Sequence, residues 1–466
     1  MFYKSIITLA VVFTLAVSGL PLQAQTAPAA TTATKPEKPE NVPALLARAN
    51  AAYTAKDYQT FRKTLESLHK LRPNNSDYMY QLVIAYALLN EKAPAYEMML
   101  GMQQQGLSYD FTASEHTTSL RGTEVFDYVN DLLKIAGKPV GEAETVFVLP
   151  DNVIMPETMA WDESRQKFLI GTVAEGQVLA VGKDGQVSEL LKASDENGMW
   201  AIFDILVDEP RNRLWITSAS TPGYLRFDPI DNGRSALFEF DLKTLDLIRR
   251  YPVPVDGQPH ILGSMVLDPN GGVYIADRTV PLIFSKPAGE DKMRPILVLK
   301  EMVSQRGRAM QSDGRIMYVA DREMGIMVVD LVGQKAGLLE VPDTFNAGGI
   351  DGLYLDNNRL FVIQNGISPQ RVMRLQLDSS GTKVASVAPV AVAQPEFELP
   401  SFGTIEGEDL YYFANSQWIG KQGSQKPVTV MRSSLNASPD LMKPEMEQYL
   451  KQQAEMEKRK QQESNN

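Results

Sequence analysis

Six copies of one short pattern determine what most of this 466-residue chain can fold into. Each copy is an apolar strand, a polar turn rich in Asp, Asn or Gly, and a second apolar strand centred on an aromatic residue or leucine. The first copy reads MAWDESRQKFLIG from Met159, and the last reads GTIEGEDLYYFAN from Gly403. The central residues of the second strands are separated by 46, 59, 44, 43 and 50 positions. These residues are Leu169, Trp215, Tyr274, Tyr318, Phe361 and Tyr411.

Repeats of about 40–50 residues that are built from strands are typical of propeller blades. The sequence therefore predicts a mainly β protein, with a six-bladed β-propeller over residues 143–436. The 59-residue interval is interpreted as one blade with an enlarged loop around Asp228, because it holds no second copy of the strand–turn–strand pattern.

An N-terminal α-helical domain is predicted for residues 41–142. An Ala-Tyr pair at Ala52 recurs at Ala85, 33 residues later, and both pairs lie in runs with helical periodicity. This resembles two tetratricopeptide-like helical hairpins, fewer than the roughly three units that a free-standing solenoid needs. We therefore expect the hairpins to pack on a helix near Val125–Ala136, on the propeller, or on a partner. They are either a packing appendage or a peptide-docking groove.

The two ends of the chain are predicted to lie outside the folded domains. Residues 1–24 are predicted to be a signal peptide, because Lys4 precedes the apolar run Ile6–Val17. Residues 25–40 are predicted to be a disordered linker, and residues 437–466 a charged C-terminal tail. We expect an exported protein that is periplasmic, with secretion to the medium as the alternative, and that has no membrane span after signal cleavage.

Composition excludes several kinds of chemistry. The chain has no cysteine, which excludes disulfides, a thiol nucleophile and cysteine metal ligands. Its formal net charge of −11 argues against nucleic acid as a partner, because binding to phosphate backbones needs a basic surface.

Short motifs at the starts of the repeats resemble known families. MPETMAWD from Met155, RGRAMQSDG from Arg306 and IDGLYLDNNRLFV from Ile350 resemble blade starts of the SMP-30/gluconolactonase/LRE-like propellers. FDILVDEPRNRLWI from Phe203 and LFEFDLKTLDLIRRYPVP from Leu237 are similar to the yellow/major royal jelly proteins. The second family shares the six-bladed shape and is better known for binding ligands than for hydrolysis.

The first resemblance implies a divalent cation, calcium or zinc, held by Glu, Asn and Asp side chains from different blades. Position by position, the Glu falls on Glu157 and the Asp on Asp351, whereas the two Asn positions fall on Gly263 and Arg306. A guanidinium is always charged and can bridge carboxylates. On this interpretation Arg306 neutralises the pocket without a metal and repels one.

Five residues are the candidate ligand-binding residues at the channel mouth: Glu157, Asp204, Arg306, Asp351 and His260. Asp204 is included because it lies at the start of the second blade, with a turn-capping role as the alternative. His260 has a structural role as its alternative. For the other three, the alternative is an ion-pair network that only closes the channel.

These observations favour a binding protein that takes a small molecule or peptide at the channel mouth without a cofactor. The helical repeats would add a docking surface for a protein partner. The alternative is a metal-dependent lactone or ester hydrolase with a modified metal shell, in which Glu157 and Asp351 hold calcium or zinc. A structural scaffold of the cell envelope is the third hypothesis, and no catalytic residue is identified.

Overall fold

The structure is a computed structural model that describes residues 41–254, 256–300, 302–418 and 426–439. The predicted signal peptide, the predicted linker and residues 440–466 of the predicted tail lie outside the described residues. Within the described part of the chain, no helix is both long and apolar enough to cross a membrane.

The predicted N-terminal helical region is confirmed. Its α-helices are α1 (Val42–Thr54), α2 (Tyr58–Leu71), α3 (Ser76–Leu88), α4 (Lys92–Gln104) and α5 (Glu124–Ala136). The side chain of Asp57 accepts a hydrogen bond from the Thr60 amide at 3.1 Å and caps α2. Asn75 caps α3 in the same way. Helices α1 and α2 pack as one hairpin, and α3 and α4 as a second one.

Two short strands follow, β1 (Val140–Gly141) and β2 (Glu144–Val148). Blade 1 comprises β3 (Pro156–Asp162), β4 (Lys167–Thr172), β5 (Gln177–Val181) and β6 (Val187–Lys192). Blade 2 comprises β7 (Ala201–Asp208), β8 (Arg213–Ala219), β9 (Ser235–Asp241) and β10 (Leu247–Pro252). Blade 3 comprises β11 (Leu262–Leu267), β12 (Val273–Asp277), β13 (Leu282–Lys286) and β14 (Arg294–Val298).

Blade 4 comprises β15 (Gln305–Met310), β16 (Ile316–Asp321), β17 (Gly325–Asp330) and β18 (Lys335–Leu338). Blade 5 comprises β19 (Ile350–Asp356), β20 (Arg359–Gln364), β21 (Arg371–Leu377) and β22 (Val384–Val392). Blade 6 has β23 (Gly403–Glu406), β24 (Asp409–Phe413) and β25 (Thr429–Ser434).

The blades form a closed ring. Each is an antiparallel sheet, and blade 6 obtains its fourth, outermost strand from β2. Strand β1 extends the outer edge of blade 5 beside β22. Each innermost strand contacts the innermost strand of the next blade, and β23 contacts β3. The predicted six-bladed propeller is therefore confirmed, and the enlarged loop of the long repeat is the connection between β8 and β9.

The core lies between neighbouring blades. Five of the six central residues of the repeats are buried; Tyr274 is half-buried. Trp215 of blade 2 packs in one cluster with Met265 and Phe284 of blade 3. The Phe168 ring of blade 1 lies 4.8 Å from the Tyr411 ring of blade 6. Each repeat thus buries its apolar residues against the next blade, which is why the pattern recurs.

The helical hairpins pack on α5 through α4, and the helical region as a whole packs on blades 4 and 5. Ile367, in the loop between β20 and β21, is 6% exposed and belongs to the apolar cluster of α3, α4 and α5. In addition, the Ser108 amide donates a hydrogen bond to the Ser368 carbonyl at 2.7 Å. Two of the three expected packing modes therefore occur together.

Closure of the ring by β2 generates the first testable prediction. Phe147 of β2 is 7% exposed and its ring lies 5.9 Å from that of Phe168, whereas the neighbouring Val148 is 51% exposed. We expect Phe147→Ala to lower the free energy of unfolding by about 3–5 kcal/mol, since it leaves a cavity at the closing strand. The control Val148→Ala should cost less than about 1 kcal/mol. Urea denaturation followed by circular dichroism measures both losses, and equal losses would contradict this account of closure.

Candidate functional site

A cavity of about 610 Å³ opens at the end of the channel where the inner strands begin. We call it the upper cavity. Its apolar wall consists of Phe203, Pro222, Ile261, Leu399, Phe402 and Trp418. Its charged residues are Glu157, Arg278, Arg306, Arg322 and Asp351. Apolar walls with a few convergent polar groups are typical of small-molecule sites.

A bulge at the start of the inner strands places residues in this cavity. The pairing register shifts between Pro156 and Thr158 in β3 and between Ile350 and Gly352 in β19. Glu157 and Asp351 are the bulged residues, and a bulge re-aims the side chain that it carries.

The same shift occurs in the other three inner strands that start blades 2, 3 and 4. In β7 the bulged residue is Phe203, and the bulges of β11 and β15 include Gly263 and Arg306. Residues at the same strand position in several blades therefore line the upper cavity together.

Glu157 is buried and has two partners from other blades. Its Oε1 accepts a hydrogen bond from Arg278 Nη1 at 2.6 Å, and its Oε2 accepts one from Trp418 Nε1. The Arg278 guanidinium also lies 5.4 Å from the Phe203 ring and 5.8 Å from the Phe402 ring. Arg278 is thus held by one carboxylate and two aromatic faces.

Gly263 makes room for Arg278. A Cβ atom at Gly263 would lie 2.6 Å from Arg278 Cγ and 2.8 Å from its Cδ. Any larger residue would displace this side chain. At the position where the resemblance implied an amide ligand, the cavity therefore holds the stem of an arginine that comes from the end of β12.

Asp351 has three polar neighbours. Its Oδ1 accepts a hydrogen bond from Arg322 Nη1 at 2.9 Å, and its Oδ2 accepts one from Asn365 Nδ2. Arg322 Nη1 also donates to Asn365 Oδ1 at 2.7 Å. Arg306 Nε lies 3.1 Å from Asp351 Oδ1, but its N–H direction does not meet hydrogen-bond geometry. Each oxygen of the carboxylate already accepts a hydrogen bond, from Arg322 and from Asn365.

Arg306 is the cation with unused donors. Its side chain is 22% exposed and donates no hydrogen bond to any residue that the structure describes, and its Nε is buried. Burial, followed by the positive charge of Arg278, lowers the pKa of Arg306. Among the residues that the structure describes, three guanidinium groups face two carboxylates in the upper cavity, which leaves one positive charge in excess. A guanidinium with free donors in such a place can bind an anion bidentately.

The structure brings together three of the five candidate residues. Glu157, Arg306 and Asp351 line the upper cavity, whereas Asp204 and His260 are not among the residues that line it. Asp204 does not line the upper cavity because of the bulge. It follows the bulged Phe203, so its side chain points to the other side of the strand.

Asp204 faces a second cavity of about 450 Å³, the lower cavity, which extends along the channel and includes Arg308 in its wall. Its Oδ1 accepts a hydrogen bond from Thr158 Oγ1 and its Oδ2 from the Met265 amide, both at 2.6 Å. Burial raises the pKa of Asp204 to about 6. Burial also lowers the pKa of Arg308 to about 9.

His260 lies within the blade and not in the cavity. Its Nδ1 is 2.6 Å from Asp277 Oδ2, and its Nε2 is 3.1 Å from Asp256 Oδ1. Burial acts to lower the pKa of His260, but the hydrogen bonds that its ring donates to Asp277 and Asp256 outweigh burial and raise the pKa. This arrangement corresponds to the structural alternative.

Sequence reasoning missed Arg278, Arg322 and Asn365. A signal was present, because β12 and β16 end in IAD and VAD, and an arginine directly follows each strand. In both, a buried Asp ends the strand and the next residue enters the cavity, as Asn365 does directly after β20. The repeat copies that run from Met265 to Asp277 and from Ala309 to Asp321 stop one residue short of these arginines.

The residues present do not fit the divalent cation that the resemblance implies. Glu157 and Asp351 are each paired with an arginine, and Arg306 lies between the two pairs. No cluster of three or more Asp, Glu or His residues suited to a metal occurs in the described ranges. A hard cation needs about six oxygen ligands and would here meet three guanidinium groups.

Solved structures share this fold. A luciferin-regenerating enzyme has a TM-score of 0.44 at 14% identity, covering 65% of this chain and 97% of its own. Regucalcin from Agrobacterium tumefaciens has a TM-score of 0.45 at 14% identity, covering 63% and 95%. A gluconolactonase from Xanthomonas campestris has a TM-score of 0.42 at 14% identity, covering 63% and 89%. The six-bladed propeller itself is established by the chain's own six antiparallel sheets.

At this identity the likeness concerns the fold alone. No protein-family model matches the sequence, and no curated protein sequence matches it. The chemistry of the site therefore has to be argued from its own residues.

The raised pKa of Asp204 predicts a pH dependence of stability. Because the folded protein holds a proton up to about pH 6 and the unfolded chain releases it near pH 4, stability falls as the pH rises through this window. Asn at position 204 can still accept from Met265 and donate to Thr158. From about pH 4 to about pH 7, we expect the native protein to lose about 2 kcal/mol relative to Asp204→Asn. Urea denaturation of both proteins at several pH values measures this loss. A difference in the free energy of unfolding that stays constant from about pH 4 to about pH 7 would contradict the prediction.

The charge balance also predicts the response to metals. We expect calcium or zinc chloride at about 1 mM to raise the melting temperature by less than about 1 °C, because both carboxylates that the structure describes in the upper cavity are already paired with arginine. Differential scanning calorimetry after dialysis against a chelator measures this. A saturable rise with calcium would show that the carboxylates exchange arginine for metal.

Proposed function

We propose that this protein is an exported binding protein whose upper cavity takes a small organic monoanion, a carboxylate attached to an apolar body. The observation that carries the proposal is Arg306, a mostly buried guanidinium whose donors are not used by the residues that the structure describes. A buried cation without a hydrogen-bonded partner is costly, and an anionic ligand offsets that cost.

The charges favour one anionic group. Arg278 pairs with Glu157, whereas Arg322 and Arg306 share Asp351, so the described residues leave one excess positive charge beside Asp351, where Arg306 has unused donors. A single carboxylate matches it, whereas a dianion would bring a second charge close to these two buried carboxylates. A planar carboxylate also suits the fork of a guanidinium.

The walls favour an apolar body on that anion. Phe203, Leu399 and Trp418 line the cavity, and its volume of about 610 Å³ lies in the range of small-molecule sites. The C-terminal carboxylate of a short apolar peptide presents the same chemistry. A metal-dependent lactonase is the alternative function, and the arginines in place of amide ligands give it no support.

Export to the periplasm and a protein partner on the helical hairpins remain predictions from the sequence. The contacts of the hairpins with the propeller suggest a different role for them.

A matched pair of ligands and a matched pair of variants test the proposal. We expect isothermal titration calorimetry to show benzoate binding, with its neutral isostere benzamide at least about 10-fold weaker, because only the carboxylate pairs with Arg306. Hexanoate and an N-acetylated dipeptide test the two kinds of apolar body. Arg306→Met should weaken benzoate binding by about 10- to 100-fold, since it removes charge-assisted hydrogen bonds and keeps most of the side-chain volume.

Arg315→Met is the control, because the exposed Arg315 pairs with the half-buried Asp330 at 3.0 Å in the same blade and does not line the cavity. Equal affinities for benzoate and benzamide, or an Arg306→Met protein that binds like the native one, would refute the proposal.

A further inference from the structure

We propose that the helical region positions one wall of the upper cavity, so that ligand affinity depends on how the helices dock on blades 4 and 5. This inference deepens the proposed function and rests on it for its ligand. The inference rests on two loops of the propeller. In each loop one residue lines the cavity, and the residues that follow it contact the helices.

The first loop connects β16 to β17. Arg322 points into the cavity and binds Asp351. The adjacent Glu323 accepts a hydrogen bond from Arg72 Nε of the helical region at 2.9 Å. The Met324 carbonyl accepts one from Asn74 Nδ2 at 3.3 Å. A movement of this contact therefore moves the backbone that aims Arg322.

The turn of this loop is tight. The buried Asp321 accepts hydrogen bonds through Oδ1 from the amides of Glu323 and Met324, both at 2.9 Å. The Arg322 carbonyl accepts one from the Gly349 amide at 2.7 Å. Because these bonds hold the turn as one unit, Arg322 and Glu323 cannot shift independently of one another.

The second loop connects β20 to β21. Asn365 lines the cavity and donates to Asp351 and to the Pro400 carbonyl. Two residues later, Ile367 is buried in the apolar cluster of α3, α4 and α5. Ser368 follows it and binds the Ser108 amide. Asn365 is thus anchored to the helical region through its own loop.

Buried polar groups join the two parts behind these loops. Asn346 Nδ2 donates to Gln105 Oε1 at 2.9 Å, and Arg371 Nη1 donates to the Gln105 carbonyl at 3.0 Å. Gln364 Nε2 donates to the Asn346 carbonyl at 2.8 Å. Asn346, Gln364 and Arg371 are all buried. Such networks fix one relative position, because any displacement leaves buried groups unpaired.

The opposite wall of the cavity has its partners inside the propeller. Glu157 binds Arg278 and Trp418, which belong to blade 3 and to the loop after β24. Arg278 therefore serves as an internal reference for Arg322, because both are cavity arginines paired with a buried carboxylate.

Charge reversal at the first loop tests the coupling through benzoate affinity. We expect Arg72→Glu, which places a carboxylate against Glu323, to weaken benzoate binding by about 3- to 10-fold at a temperature well below unfolding. The double variant Arg72→Glu/Glu323→Arg restores the pair and should restore the affinity. The control Arg315→Glu reverses the more exposed ion pair of Arg315 with Asp330 within blade 4 and should leave the affinity unchanged.

A merely structural contact would lower the melting temperature of Arg72→Glu and leave its benzoate affinity native, and that result would overturn the proposal.

A second measurement does not need a ligand. Phenylglyoxal modifies accessible arginines, and peptide mass spectrometry locates the modified residues. Undocking by Ile367→Asp, or more mildly by Arg72→Glu, should increase the labelling rate of Arg322 several-fold over native protein and leave that of Arg278 unchanged. Unchanged labelling of Arg322 in both variants would overturn the proposal. If labelling rises as expected but even the native protein binds no carboxylate, the positioning role stands and the proposed function fails.

Discussion

The closure of the ring by an N-terminal strand is the constraint on which the other features depend. β2 supplies the outer strand of blade 6 and pairs with β25, so the two ends of the propeller lie in one sheet. The exposed ion pair of Glu144 and Arg432 at 2.6 Å adds little to this, because solvent screens it. The backbone ladder and the burial of Phe147 hold the ring. Without closure the inner strands would not surround a channel.

Closure also decides where the helices lie. α5 ends at Ala136, and β1 begins at Val140 on the outer edge of blade 5. So short a connection keeps the helical region close to blade 5, where the cavity loops of blade 5 and of the neighbouring blade 4 are available for contact. A pair of helical hairpins is too small to be stable alone, and here the propeller completes its core through Ile367. The dependence is mutual, since the same contact holds the loop of Asn365.

The sequence predicts the fold well and the site only in part, and the difference is physical. The blades are repeated and local in the chain, so their spacing is visible in the residues from Leu169 to Tyr411. The site is formed by a bulge, and a bulge shifts the register by one residue without a mark in the composition. That shift is why Asp204 is displaced from the cavity, and why Phe203 takes its place. The glycine at position 263 is explained only by the structure, because the side chain of Arg278 passes where a Cβ atom would lie.

Arginine in place of a metal changes what the cavity can respond to. A bound cation leaves when its ligands are protonated or a chelator competes, whereas a guanidinium is part of the chain and stays charged over the physiological pH range. The anion site that we propose at Arg306 would therefore be permanent, and its affinity would have to be adjusted by geometry. The geometry that can change is that of Arg322 and Asn365, which share Asp351 with Arg306 and rest on the helical region. Because the charge of Arg306 would not change, we expect any control of ligand affinity to act through the docking of the helices, which positions Arg322 and Asn365.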